Sequence, residues 1–329
     1  MSETVFKLIS GFFLAVLSIT VSAESIDAWL DKMSMASTQQ NFQGTLIIRQ
    51  KNMLQAIKVK QGVTQVGSWQ TLESLTGEDQ TILRQDNKVT TIFPSKKLIT
   101  IAGNGSDMVN KGPLHPALPE NRHIIKQFYT LKLNGQDRVA NKMTQIVKMI
   151  PRDKHRYGYT FWLDKQSGML LKCDLMDEEG LVLEQLMYSN VELLSKAPEN
   201  NVNTEKLALY RKINLSDKSD VKSRTWQANE LPAGFTLTRS VMTRSDNKAD
   251  EQGKTQGAAS YHMVYSDGMA SVSVFIEQGR KLDKPVIGQS TMGPVNAYSS
   301  FVNDAYVTAI GEVPVATVRM IATSIQPVK

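Results

Sequence analysis

Between residues 156 and 191 apolar and polar positions alternate with a period of two, interrupted twice by turn residues. RYGYTFWL places Tyr157, Tyr159, Phe161 and Leu163 on one side and Gly158, Thr160 and Trp162 on the other. DKQSG reads as a hairpin loop in which Gly168 can take a positive φ without steric cost. MLLKCDLM sets Met169, Leu171, Cys173 and Leu175 on one side, DEEG makes a second turn ending in Gly180, and LVLEQLMYSNV alternates again. The pattern predicts three antiparallel strands with one nearly apolar face. A long twisted sheet of this kind curls, and its concave face must be covered by a helix or filled by a ligand.

The rest of the chain extends this reading. SIDAWLDKMSMASTQQ predicts a helix capped by Ser25, with Ile26, Trp29, Leu30 and Met33 at helical spacing. From FQGTLIIRQ onward the pattern is β, with a hairpin expected around Asp86 and Asn87 and a Gly- and Pro-rich loop over residues 103–119. NRHIIKQFYTLKLNG predicts a helical turn before a strand, and QDRVANKMTQIVKMIPRD a strand pair. After residue 195 the text turns polar and charged, which marks a linker over 196–220. A second unit follows over 221–329. Its signals are a turn in LPAGF, a hairpin with Asp267 and Gly268 at its tip, a further strand pair, and a closing amphipathic helix bearing Val315, Val318, Ile321, Ala322 and Ile325. The fold class expected is α+β: an N-terminal curved antiparallel half-barrel with covering helices over 24–195, and a smaller C-terminal α+β domain.

The first residues place the protein. Lys7 precedes an apolar run, and Val21, Ser22 and Ala23 form a small-residue cleavage pattern. Residues 1–23 therefore read as a signal peptide, and the following Glu24 is not the cysteine of a lipoprotein. A soluble, exported protein is expected. The single cysteine, Cys173, excludes an internal disulfide, so the fold must be held by its core. The formal charge of +6 favours acidic partners such as anionic headgroups or an acidic polypeptide, or marks a basic surface with no partner at all. The export signal and the lack of a binding motif argue against nucleic acid.

A search for chemistry returns little. The four histidines show no metal-ligand spacing, there is no Gly-x-Ser-x-Gly elbow and no phosphate-binding glycine loop. No catalytic residue, metal or cofactor is expected, and the protein is not read as an enzyme. The carboxylates of DEEG sit in a hairpin turn, where such charges are solvated. Arg152, Lys154, His155 and Arg156 cluster in PRDKHRYGY; they are either an ordinary hairpin tip or a basic rim that meets an acidic partner or a phosphate. The 15 methionines fill a core or line an acyl-chain cavity. On the cavity reading, the strands between Tyr157 and Tyr188 line a lipid groove with Trp162, Leu171, Met176 and Leu186 as its contacts.

These residues carry a family likeness. RYGYTFWLDKQSGMLLKCDLMDEEGLVLEQLMYSNV in the first unit, and LPAGF, YSDGMASVSVFIE and VTAIGEVPVATVRMIATSI in the second, resemble the RseB/MucB periplasmic regulators of envelope-stress sigma factors. The large domain of that family is similar to the lipoprotein carriers LolA and LolB. The resemblance implies a partner, the periplasmic segment of an RseA/MucA-like transmembrane anti-sigma factor, shielded from site-1 proteolysis. It also implies release on sensing lipid, lipopolysaccharide or mislocalised lipoprotein acyl chains. A soluble lipid or lipoprotein carrier of LolA type is the alternative, and a homo-oligomer stays open.

Overall fold

A computed structural model describes residues 24–328 apart from 86–87, 104–117, 119–121, 201, 203–205, 215–224, 245–258 and 279–284. The expected signal peptide, the hairpin tip at Asp86 and Asn87, and most of the Gly- and Pro-rich loop lie outside the described residues. Among those described, no helix is long and apolar enough to cross a membrane.

The larger unit opens with helix α1 (Ile26–Gln39). Ser25 caps it by accepting the Ala28 N–H at 3.2 Å. Twelve strands form one sheet. They are β1 (Asn41–Gln50), β2 (Met53–Thr64), β3 (Gly67–Ser74), β4 (Thr81–Gln85), β5 (Lys88–Phe93) and β6 (Leu98–Ala102), then β7 (Tyr129–Val139), β8 (Lys142–Pro151), β9 (Gly158–Asp164), β10 (Leu170–Met176), β11 (Val182–Leu194) and β12 (Arg211–Asn214). Helix α2 (Arg122–Phe128) leads into β7. The spatial order β12-β6-β5-β4-β3-β2-β1-β11-β10-β9-β8-β7 is two meanders joined where β11 pairs with β1. The edge strand β7 comes back into contact with β11, so this half of the sheet curls tightly.

The turns are those the residue types dictate. Ala140 and Asn141 both take positive φ in the two-residue β7–β8 turn, and Gly168 (φ 74°) brings the β9–β10 loop against Lys32 of α1. One face of the sheet forms the core. Trp29, Leu30, Met33 and Ala36 of α1 pack with Phe42, Leu46, Val59, Leu72, Phe161, Leu175 and Tyr188. Cys173 is buried among them, and burial pushes its thiol well above the ordinary range.

The segment expected to link the units is partly sheet. After a 3₁₀ turn at Lys206–Leu209, β12 pairs in parallel with β6, Arg211 opposite Leu98 through Asn214 opposite Ile101. Its polar composition hid this role.

The smaller unit contains β13 (Trp226–Ala228), β14 (Thr236–Arg244), β15 (Ala259–Ser266), β16 (Ser271–Gln278), β17 (Gly288–Met292), β18 (Val295–Val302), β19 (Ala305–Gly311), helix α3 (Val315–Ser324) and β20 (Ile325–Pro327). Six strands form a sheet in the order β14-β15-β16-β19-β18-β17, and β13 pairs separately with β20. Val318, Ile321 and Ala322 of α3 pack on Val274, Ile276, Val307 and Ala309. Ile325 shares this core from the first position of β20, one residue past the helix.

Candidate functional site at the joint between the two units

The two units meet where the text preceding β9 reaches one end of the smaller sheet. Arg156 lies at the centre, its side chain fully withdrawn from solvent. Its Nη1 donates to Asp267 Oδ2 at 2.8 Å and its Nη2 to the Ala233 carbonyl oxygen at 2.7 Å. Its Nε donates to Asp153 Oδ1 at 3.2 Å. The guanidinium lies over the Phe128 ring at 4.2 Å and near Phe235 at 5.6 Å. Asp267 is equally buried, and its other oxygen accepts the backbone N–H groups of Met269 (2.9 Å) and Ala270 (2.7 Å). Both charges are thus paired and hydrogen-bonded, the condition under which a buried ion pair is tolerated.

Polar contacts continue on both sides of this pair. Tyr157 donates its hydroxyl hydrogen to the Pro294 carbonyl (3.2 Å), and Asn296 Nδ2 donates to the Tyr157 oxygen and the Val313 carbonyl, each at 2.8 Å. Burial pushes the Tyr157 hydroxyl up to about 12, so it stays a donor at neutral pH. Burial likewise raises Tyr129 beside the pair. Thr317 Oγ1 donates to the His155 carbonyl at 2.8 Å. Gly234, at φ 85°, lets the smaller unit's backbone approach Phe128 so closely that a Cβ would collide with the ring. Met269 of the smaller unit completes the larger unit's core.

The four basic residues therefore do not form one rim. Arg152 and Lys154 are exposed, whereas Arg156 is consumed by the joint and is not open to an outside phosphate in this arrangement. His155 is half-buried, and burial lowers its pKa, with Lys154 and Arg156 adding in the same direction against Asp153. Its imidazole is neutral near pH 7, so it adds no positive charge to a rim.

The four residues expected in a lipid groove are also not brought together. Leu171 and Leu186 belong to the helix-covered core, Leu171 only 1% exposed. Trp162 lies opposite Lys172, one position out of step with the Phe161–Cys173 pair, and so points to the other face. There its indole N–H donates to Asp137 at 3.1 Å and the Lys172 ammonium sits 3.8 Å over its ring. Met176 is on that face too, its sulfur accepting from Thr160 at 3.7 Å. In the DEEG turn, Asp177 Oδ1 accepts from the backbone N–H of Glu179 (3.0 Å) and Leu181 (2.8 Å), which makes it a turn former. Among the described residues no three His, Cys, Asp or Glu side chains gather as metal ligands.

Sequence reasoning missed the joint because its two charges sit in hairpin tips, where a lone Arg or Asp reads as solvated. Comparison with known proteins covers both units. Residues 25–206 match the MucB/RseB N-terminal domain, and residues 220–326 match the MucB/RseB C-terminal domain. The chain belongs to the MucB/RseB family. It is 29% identical to the sigma factor AlgU regulatory protein MucB of Pseudomonas aeruginosa, across 99% of this chain and 98% of that protein. It is 24% identical to the sigma-E factor regulatory protein RseB of Haemophilus influenzae, across 94% of this chain and 95% of that one. A crystal structure of MucB in complex with MucA(peri) superposes with a TM-score of 0.68 at 26% identity, covering 93% of this chain and all of that one. The complex structure of Pseudomonas aeruginosa MucA/MucB gives the same TM-score at 28% identity, covering 92% of this chain and 98% of that one.

Proposed function

We propose that this MucB/RseB family member is a periplasmic negative regulator. It binds the periplasmic segment of a transmembrane anti-sigma factor, shields that segment from the first proteolytic cut, and lets go on sensing lipid, lipopolysaccharide or mislocalised lipoprotein. The observation that carries the reading is the likeness along nearly the whole chain to a MucB that was solved with MucA(peri) bound. The curled sheet of residues 24–195 acts as a half-barrel sensor, and residues 221–329 contribute the partner-binding unit. A carrier of LolA type would leave the second unit without a role.

The joint supplies what such a switch requires. A protein that holds one ligand and releases it on binding another needs two arrangements with different affinities for each, and the coupling is reciprocal. A buried ion pair disfavours a half-open state, since separating Arg156 from Asp267 without water leaves Asp267 with only its two backbone N–H partners and Arg156 with Asp153 as its one remaining counter-charge. The joint is therefore closed or fully open, and the ligands bias that choice. Calorimetric titration of the chain beginning at Glu24 with the periplasmic segment of its anti-sigma factor tests the reading: saturable binding is expected, and no detectable heat or complex at any accessible concentration overturns it.

A further inference from the structure

Away from the joint, the face of the larger sheet opposite α1 carries a cavity of about 420 Å³ over β2–β5. Its floor follows from register. Lys58 lies opposite Glu73, Glu73 opposite Thr81, and Thr81 opposite Ile92, so these side chains share one face. Val59 and Leu72, one position along, point into the helix-covered core. The roof is made by Val202, Leu207 and Tyr210, which follow β11 in sequence.

That roof is pinned, not merely adjacent. Lys60 Nζ reaches the Glu199 carbonyl at 3.5 Å, the Arg211 N–H donates to the Lys97 carbonyl at 2.9 Å, and β12 then joins the sheet edge. The cavity is two-sided in its chemistry. Lys58, Lys60 and Glu73 stand at one side with a net charge of plus one, and Ile92, Pro94, Val202 and Leu207 make an apolar wall. Among the described residues neither the Lys58 ammonium nor the Glu73 carboxylate forms an ion pair. A cavity of this size, apolar with a few polar groups, has the character of a small-molecule site.

We propose that this cavity binds a monoanionic amphiphile, its head against Lys58 and Lys60 and its chain against Ile92, Pro94 and Leu207. The head is either the carboxylate of a free fatty acid or the phosphodiester of an anionic lipid. The proposal deepens the lipid-sensing reading on which it rests, and it moves the site from the apolar face of β9–β11 to the opposite face of β2–β5. Because the roof is the same chain that runs on to the smaller unit, an occupant that shifts Val202 and Leu207 acts on the connection between the units.

The test is calorimetric titration of the chain from Glu24 with sodium decanoate, dihexanoyl phosphatidylglycerol, dihexanoyl phosphatidylcholine and inorganic phosphate. Decanoate or the phosphatidylglycerol is expected to bind, and which of the two does so identifies the source of the head group. Lys58→Glu should weaken that binding roughly tenfold, and Lys165→Glu, an exposed charge reversal on the β9–β10 loop, should not. Leu207→Asp on the roof is the second variant and should weaken it comparably. If Lys58→Glu and Leu207→Asp both bind as the parent does, the site is wrong while lipid sensing stands. If phosphatidylcholine binds as tightly as phosphatidylglycerol, the lysines are not the head-group site. If inorganic phosphate binds as tightly as either anionic amphiphile, the apolar wall has no part in it. If neither anionic amphiphile binds the parent chain, the site is wrong, and the lipid-sensing reading falls with it only if lipopolysaccharide and acylated lipoprotein also leave binding of the anti-sigma segment unchanged.

Discussion

Arg156 and Asp267 are 111 residues apart in sequence, yet Nη1 and Oδ2 are 2.8 Å apart with both side chains closed off from water. One belongs to the larger sheet's unit and the other to the β15–β16 tip of the smaller one. Removing Arg156 leaves the buried Asp267 carboxylate with backbone N–H groups only, and removing Asp267 leaves the buried guanidinium with Asp153 as its remaining counter-charge. Arg156→Ala or Asp267→Ala should each cost about 3–5 kcal/mol. The double variant should cost less than the sum of the two, because it leaves no orphan charge. Urea unfolding of the four proteins measures this. Additive losses, or single variants as stable as the parent, would refute a coupled buried pair.

Gly234 meets Phe128 across the same joint. A methyl group added at φ 85° is strained by the backbone and collides with the ring. Gly234→Ala should therefore destabilise by about 1–3 kcal/mol. Phe128→Ala in the same chain should recover part of the loss caused by the collision but not the part caused by the backbone. Thermal melts of the single and double variants separate the two contributions, and a neutral Gly234→Ala would show that the units do not approach this closely.

His155 gives the joint a pH dependence of definite sign. Burial lowers its folded pKa below 6.5, the value of the unfolded residue. Between those two values the unfolded chain binds a proton that the folded chain refuses. The contribution is present above the unfolded pKa and is lost as pH falls toward the folded one. Glu184, beside Gln50, is shifted the other way: burial raises its carboxyl above 4.5. There the folded chain holds the extra proton, so stability falls as pH rises from about 4.5 through the raised folded value. Urea midpoints across this range should show His155→Asn flattening the fall in stability on acidification from neutral pH. Glu184→Gln should flatten the fall on alkalinisation from about pH 4.5. Unchanged slopes would remove both groups from the account.

Leu171 separates the core reading from the groove reading. It is buried under α1, so Leu171→Ala should cost about 2–5 kcal/mol through lost burial and a cavity. Affinity for an amphiphile, measured on the folded variant, should not change. Stability within the range of a surface substitution, together with loss of lipid binding, would restore this face as the ligand site.

Much of the larger unit was legible because its signals are local. Period-two alternation gave β9, β10 and β11, Gly168 and Gly180 marked their turns, and Ser25 with Trp29, Leu30 and Met33 gave α1. Asp267 and Gly268 marked the β15–β16 tip. What was not legible depends on pairings between distant segments. Nothing local says that Arg211–Asn214 will run parallel to β6, since four exposed residues in polar text carry no periodic pattern. The groove reading groups Trp162 with Leu171 and Leu186, although the alternation that places Phe161 in the core sends it to the opposite face, under Lys172. Arg156 looked like a surface charge for the same reason that Asp267 did: each is buried only by the other's unit.

The most direct test of the regulatory account is the rate at which the site-1 protease cuts the periplasmic segment of the anti-sigma factor, with and without saturating chain from Glu24. The account predicts marked slowing, relieved when a lipid ligand is added. Identical cleavage rates in the presence and absence of the protein would contradict it.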